Sequence, residues 1–328
     1  MRILVIQTAF IGDAILATGL LEKLHQHQPQ ARIDLLVRKG NESLFAAHPF
    51  IHTLWVWNKQ KHKYRHLWQL LLQIRAQRYD LVLNLQRFLA TGLLTAFSGA
   101  QKTIGFDKNP LSWLFSERVP HAIAAGTHEI ARNHRLIAAL SDGTPAQPRL
   151  YPSATDCEAV ADYQKQPYIC IAPTSVWFTK QLPAAAWVAL LQKLPPHYTV
   201  YLLGAPSDQA ACQGIIEQSQ HPQALNLAGQ LSLLQSAALI QKASMNYVND
   251  SAPMHLASAV NAPTAAVFCS TIPDFGFGPL SERAWVIESP EALACRPCGL
   301  HGHRQCPQGH FQCAHSIRTE QLLEVLSQ

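Results

Sequence analysis

The chain has 328 residues, 48% of them hydrophobic and 14% charged, with a formal charge of +5. That length allows two domains of ordinary size, and the composition is that of a globular protein without low-complexity tracts. The charge excess is too small to argue for a nucleic-acid partner, and no apolar run is long enough to span a bilayer.

Residues 1–7 (Met-Arg-Ile-Leu-Val-Ile-Gln) form a short apolar run of the kind found in a strand buried on both faces. A helical pattern follows over 15–27. Asp13 interrupts the apolar stretch 1–21, so this start reads as strand plus helix rather than as a secretory signal. The expected location is therefore the cytoplasm, with the eight cysteines reduced. Strand patterns recur at 32–38 and 80–85, with a helix at 67–78 between them and another at 127–140. Residues 141–156 carry three prolines and a glycine among polar residues, which reads as a linker.

The pattern then restarts. Strands are predicted at 168–172, at 199–203 (ending at Gly204), at 245–248 and at 263–268. Helices are predicted at 185–194, 233–242, 254–260 and 319–326. This alternation predicts an α/β protein with two Rossmann-like, doubly wound parallel-sheet domains, 1–150 and 151–328. Such sheets bind ligands beyond the carboxyl ends of their strands, so the two domains are expected to face a central cleft.

Residues 248–257 (Val-Asn-Asp-Ser-Ala-Pro-Met-His-Leu-Ala) read as a strand end, a sharp turn and the opening of a helix. Asp250 or Ser251 suits the N-cap, and Pro253 suits the first turn. The free backbone N–H groups of such a helix start, near Ala252 and His255, favour a phosphate or diphosphate. Gly12-Asp13 lies just past the first strand. The glycine permits close backbone approach, and the carboxylate has two readings: general base for a hydroxyl, or cap of the next helix. Spacing alone favours the cap. Thr174, Ser175 and Lys180 follow the strand 168–172. Lys180 reads equally as a counter-charge for a leaving diphosphate or as a solvated lysine before a proline-initiated helix. Gly204 opens another post-strand loop, for which a plain turn is the simpler reading. The dinucleotide fingerprint G-x-G-x-x-G is absent, which counts against a nicotinamide enzyme.

Taken in order, several segments resemble glycosyltransferase family 9, the lipopolysaccharide heptosyltransferases. They are Arg2 to Ile6 with Gly12-Asp13; Asp80 to Gln86; Ile104 to Asp107; His128-Glu129 to Asn133; and Ser175 to Pro183. Leu227-Ala228-Gly229, Asn249 to Ala257 and Gly278-Pro279 complete the set. The resemblance spans nearly the whole chain and implies a GT-B fold. It also implies that the N-terminal domain takes the acceptor and the C-terminal domain an activated sugar nucleotide, usually ADP-heptose. Asp13 matches the family's catalytic base and Lys180 the lysine on the donor phosphates. Asp250, Ser251, Ala252 and His255 match the donor loop. Ser251-Ala252 stands where Thr-Gly is common, and Cys269-Ser270 where Gly is common, which leaves the donor's identity open. The implied reaction is a single inverting displacement that needs no metal or other cofactor. The implied partners are the sugar nucleotide and a lipopolysaccharide core or lipid-linked glycan, with peripheral contact at the inner face of the cytoplasmic membrane. The competing readings are a sugar-nucleotide epimerase or hydrolase on the same scaffold and a non-catalytic nucleotide-sugar-binding protein.

Residues 59–66 (Lys-Gln-Lys-His-Lys-Tyr-Arg-His) are the densest basic run. Lys61, Lys63 and Arg65, with Gly12 and with Arg87 after the strand 80–85, are the candidate acceptor contacts. The helix beyond, with Leu67, Leu70, Leu71 and Ile74, reads as packed on the sheet. Cys295, Cys298, Cys306 and Cys313 form C-x2-C-x7-C-x6-C among four histidines, a spacing that suits a structural zinc. The rival reading is a loop of reduced thiols.

Overall fold

The computed structural model describes residues 1–46, 48–123 and 126–327. The chain divides into two compact units, Met1–Tyr151 and Pro152–Gln328. The first contains β1 (Arg2–Gln7), α1 (Ile11–His27), β2 (Arg32–Arg38), β3 (Ile51–Trp57) and α2 (Lys63–Gln77). It continues with β4 (Leu81–Asn84), α3 (Leu89–Ala96), β5 (Lys102–Phe106), β6 (Glu117–Val119) and α4 (Glu129–His134). The second contains α5 (Ala154–Val160), β7 (Tyr168–Ala172), α6 (Ala184–Lys193), β8 (Thr199–Leu202), α7 (Gln209–Ser219), β9 (Ala224–Asn226) and α8 (Leu233–Gln241). It ends with β10 (Met245–Asn249), α9 (Ala252–Ala259), β11 (Thr264–Phe268), β12 (Ala284–Glu288), α10 (Gln312–His315) and α11 (Thr319–Glu324).

Among the described residues each unit holds one six-stranded sheet, in the orders β3-β2-β1-β4-β5-β6 and β12-β11-β10-β7-β8-β9. Neighbouring strands pair in parallel. Counted from each unit's own first strand, both orders are 3-2-1-4-5-6, the doubly wound arrangement. Beyond Arg2, every residue of the central strands β1, β4, β7 and β10 is buried, because helices cover both faces. Ile3, Leu4, Val5 and Ile6 are fully buried, as are Ile169, Ile171 and Tyr247. Burial of this kind contributes about 25 cal/mol per Å² of apolar surface and holds the strand ends, and so the loops beyond them, in register.

The expected elements are present, with informative shifts. Helix α1 begins at Ile11 rather than 15, so Gly12 and Asp13 lie in its first turn and not in a preceding loop. Its N-cap is Phe10, which makes no side-chain cap hydrogen bond. Asp13 is therefore not the cap that spacing alone favours. Residues 127–140 form α4 followed by a 3-10 stretch, Arg135–Leu140. The expected linker is not slack. Residues 141–151 lie back along α1 through Lys23 Nζ to Asp142 Oδ1 at 2.7 Å, Arg149 N to Thr18 Oγ1 at 2.8 Å and Tyr151 Oη to Glu22 Oε1 at 2.8 Å. Its last residues open α5, where Ser153 and Asp156 form a capping box.

Gly19 marks the closest approach of this segment to α1. A Cβ there would sit 2.6 Å from the carbonyl oxygen of Ala146. Gly19→Ala is expected to lose about 1–3 kcal/mol of stability, because the backbone clash exceeds the gain of roughly 1 kcal/mol in helix propensity. Urea denaturation checks this; a variant as stable as the parent would mean the segment is not held against α1.

Candidate active site

In the first unit the chemistry collects at the carboxyl ends of β1 to β4. The loop leaving β1 is tied down by its neighbours. Asn41 Nδ2 donates to the Ala9 carbonyl at 3.1 Å, Lys59 Nζ donates to the Thr8 carbonyl at 2.6 Å, and Gln86 bonds Gln7. These bonds fix the direction in which α1 leaves the sheet. They place Asp13, partly exposed, on the first turn, where the helix's positive end favours a carboxylate.

Helix α4 packs on α1 and brings Glu129 into this neighbourhood. Glu129 is 8% exposed and accepts from Arg132 Nε at 2.7 Å, and Arg132 itself is buried. Burial pushes the Glu129 carboxyl up. The Arg132 guanidinium pulls it down, Asp13 raises it further, and Arg87 lowers it. Asp13, Arg87, Glu129 and Arg132 thus share one electrostatic field. Arg87 itself is exposed beside the Phe88 ring.

The basic run meets this site differently from expectation. Lys63 and Arg65 lie in the first turn of α2, and His62 precedes it in the left-handed region at φ 48°. Lys61, Lys63 and Arg65 are all exposed. Cations at a helix N-terminus oppose the helix dipole, so an anion bound there relieves a local cost. Lys59, two positions before the first predicted contact Lys61, is the lysine held against the β1 loop. It lies 4.8 Å over the Trp57 ring, and burial together with Arg38 and Lys63 lowers its pKa to about 8.

In the second unit Lys180 and Asp250 come together. Lys180 Nζ lies 2.6 Å from Asp250 Oδ2, and the two side chains are 15% and 6% exposed. Thr271 Oγ1 donates to the same carboxylate oxygen at 2.6 Å. Asn249, fully buried, accepts from Leu182 N at 3.0 Å and so ties the lysine's loop to the end of β10. Because Asp250 is engaged with Lys180 and Ser251 Oγ bonds the Asn249 carbonyl, neither serves as the side-chain cap expected of it. Ser251 is the N-cap by backbone alone, and Pro253 lies in the first turn as expected. The first-turn donors of α9 are left without a side-chain cap, beside a lysine.

The remaining predicted donor residues divide. Ala252 lies in the first turn of α9, and His255 is buried one turn from its start. Thr174 and Ser175 are partly exposed on the loop that carries Lys180. Gly204 has a reason independent of any ligand: a Cβ there would meet Asp208 Cβ at 2.8 Å, in a turn that Asp208 closes on Ala205 N. Thr179, Asn249, Ser270, Thr271 and Arg296 shape this site and were not among the predicted residues. Their roles rest on contacts between residues distant in sequence.

The expected zinc set is not assembled. Cys313 is drawn into the core of the second unit, and Cys298 Sγ donates to the Cys295 carbonyl at 3.0 Å. Burial, and after it the neighbouring thiols, push the pKa of Cys298 and Cys313 up. Among the described residues, however, no group of three or more His, Cys, Asp or Glu side chains is arranged to hold a metal ion.

The family model described as glycosyltransferase family 9 (heptosyltransferase) matches residues 67–309. The chain belongs to glycosyltransferase family 9. Like other members of the family it is a glycosyltransferase, and this does not favour the epimerase, hydrolase and binding-protein readings. Lipopolysaccharide heptosyltransferase 3 of Escherichia coli is 29% identical over 280 residues, covering 80% of this chain and 82% of its own. The structure of E. coli ADP-heptose lps heptosyltransferase II is 24% identical with a TM-score of 0.81, covering 100% of this chain and 98% of its own. A family 9 glycosyl transferase from Veillonella parvula is 20% identical with a TM-score of 0.86, covering 99% and 96%. These structures confirm the GT-B class of fold for the two Rossmann-like units. No helix among the described residues is long and apolar enough to cross a membrane.

Lys59 supplies a test of the first unit's electrostatics. Because its folded pKa is lowered, it carries charge below about pH 8 and loses it above, so an anion held there is released as pH rises. NMR titration of the lysine ε-carbons, assigned with Lys59→Arg, is expected to find one lysine titrating near 8. All lysines titrating near 10.4 would refute the packing of Lys59 against Trp57 and Thr8.

Proposed function

We propose that the protein transfers a heptose from ADP-heptose to the core of a lipopolysaccharide, with inversion at the anomeric carbon. The first unit takes the acceptor and the second the donor. The observation that carries this reading is the Lys180–Asp250 pair at the uncapped start of α9, within a chain of family 9. A fixed cation and oriented backbone N–H groups are what a departing diphosphate needs.

Asp13 accepts the proton of the acceptor hydroxyl as that oxygen attacks the anomeric carbon. The bond from this carbon to the diphosphate oxygen breaks, and its electron pair leaves with ADP. Lys180 and the start of α9 stabilise the charge that accumulates there. To meet the phosphates, Lys180 reorients within its contact with Asp250, whose Thr271 bond keeps the carboxylate in place. The buried Glu129–Arg132 pair sets the field in which Asp13 takes its proton. Lys59, Lys61, Lys63, Arg65 and Arg87 offer cations to an acidic, phosphorylated acceptor.

The acceptor's lipid gives the exposed face of α2 a purpose. Leu67, Leu70, Leu71 and Ile74 are buried. Tyr64, Trp68 and Leu72 are 77%, 62% and 52% exposed at a spacing of four, so they form one apolar stripe beside Lys61, Lys63 and Arg65. An aromatic stripe flanked by cations fits the interface of an anionic bilayer.

Two measurements test these readings. ADP-heptose at about a hundredfold excess over its dissociation constant is expected to add roughly 2.7 kcal/mol of stability, with UDP-, GDP- and CDP-sugars adding little. Asp13→Asn is expected to cut transfer by about 10²–10⁴ while leaving donor binding within a few-fold. Stabilisation by a different nucleotide sugar alone would replace the donor, and full activity in Asp13→Asn would remove the base. For the membrane contact, Tyr64→Ser with Trp68→Ser is expected to reduce co-sedimentation with phosphatidylglycerol vesicles several-fold. Wild-type protein that ignores such vesicles would sink that part of the reading.

A further inference from the structure

We propose that Thr179 is a positioning residue for the donor site, and that through it the cysteine-rich loop sets how tightly the diphosphate is held. The proposal rests on the reading of Lys180 as the donor's phosphate contact.

Thr179 is 1% exposed, and three loops meet on it. Its Oγ1 accepts from His303 N at 2.7 Å and from Ser270 Oγ at 3.0 Å. Its backbone N–H donates to the His303 carbonyl at 3.1 Å, and its carbonyl accepts from Ser270 N at 3.2 Å. The residue next to Thr179 is Lys180, and the residue next to Ser270 is Thr271. Those two neighbours are the side chains that meet on Asp250 Oδ2. One buried hydroxyl therefore fixes the backbone on both sides of the ion pair.

The cysteine-rich loop is the third member of this junction. Gly302 adopts φ +74°, and a Cβ there would lie 3.1 Å from Lys180 Cγ and 3.1 Å from Thr179 Oγ1. The loop's backbone thus lies against the stem of the lysine. The loop is in turn pinned to the end of β11. Arg296 donates to the carbonyls of Cys269 at 2.7 Å and Thr271 at 2.9 Å, and to Glu288 Oε2 at 2.6 Å. Cys298 N donates to the Ser270 carbonyl at 2.9 Å. The segment 295–303 is built onto the residues that hold Lys180. This explains its order without a core of its own. Three loops converging on one side chain fix a lysine far better than the single 3-10 turn that carries it.

Thr179→Val keeps the shape of the side chain and removes the acceptor for His303 N–H and the Ser270 hydroxyl. Thr179→Ser keeps the hydroxyl. Titrating ADP by calorimetry, together with kcat and KM for the sugar nucleotide, separates the outcomes. Thr179→Val is expected to weaken ADP binding and raise the donor KM by roughly tenfold, with a smaller change in acceptor KM. Thr179→Ser should return both within about threefold of wild type. Gly302→Ala, which crowds both the Lys180 stem and the Thr179 hydroxyl while leaving both side chains in place, is expected to raise the same donor KM. It serves as the independent variant should Thr179→Val fail to fold. Lys180→Ala is titrated alongside. If Lys180→Ala weakens ADP and Thr179→Val and Gly302→Ala do not, the positioning role is wrong and the donor reading stands. If Lys180→Ala binds ADP as wild type does, both fall. Equal impairment in Thr179→Val and Thr179→Ser would also overturn the role assigned to the hydroxyl.

Discussion

A lysine and an aspartate held 2.6 Å apart and largely out of water constrain the second unit more than any other contact. Withdrawing both charges from solvent costs several kcal/mol, and their attraction offsets this only if the remaining lone pairs and protons are satisfied. The surroundings supply that. Thr271 donates to the carboxylate, Asn249 ties the lysine's loop to β10, and Ser270 with Thr179 joins the loops on either side. A pair so supported is also poised to change partner. On the proposed reading, a diphosphate offers Lys180 a stronger counter-charge than one carboxylate, and Asp250 keeps the Thr271 hydroxyl to bond when the lysine reorients.

The first unit solves a different problem. On the proposed reading, a base must sit where an acceptor hydroxyl arrives. Asp13 meets this by standing on the first turn of α1, where the helix end favours a carboxylate, while Glu129 and Arg132 occupy the buried side. The parallel sheet makes both arrangements cheap to build. Every strand ends on the same side, and the helix leaving a central strand starts beside the ends of its neighbours. Asn41, Lys59 and Gln86 reach the β1 loop for that reason, although the chain separates them widely.

Most strands legible in the sequence are buried on both faces, where their apolar runs have no other explanation; β5 is nearly as buried, but Lys-Thr-Ile-Gly-Phe holds no such run. β3 was missed since Ile-His-Thr-Leu-Trp-Val-Trp mixes partial exposure with aromatic bulk at a sheet edge. β6 and β9 are three-residue edges too short to show a pattern. The start of α1 was misplaced because Phe10 carries none of the polar side chains that mark an N-cap. Among the candidate site residues, Asp13 and Lys180 stood out through the order of motifs along the chain; spacing alone favoured a helix cap for Asp13 and was even for Lys180. Thr179, Thr271 and Arg296 gave no local signal, since each acts through a hydrogen bond to a residue far along the sequence.

The cysteines show the limit of spacing as an argument. C-x2-C-x7-C-x6-C admits a tetrahedral metal, and a segment with little apolar content of its own needs something to order it. Here the ordering comes from elsewhere. Arg296 gathers three backbone carbonyls and a carboxylate, and Cys313 joins the apolar core beside Trp187 and Leu322. One thiol lies in the core and another bonds a carbonyl, and the loop's backbone is held by Thr179, Ser270 and Arg296. Its neighbours are the loops that carry Lys180 and Thr271. A substitution in residues 295–303 that leaves the fold intact acts first on the lysine stem that Gly302 touches.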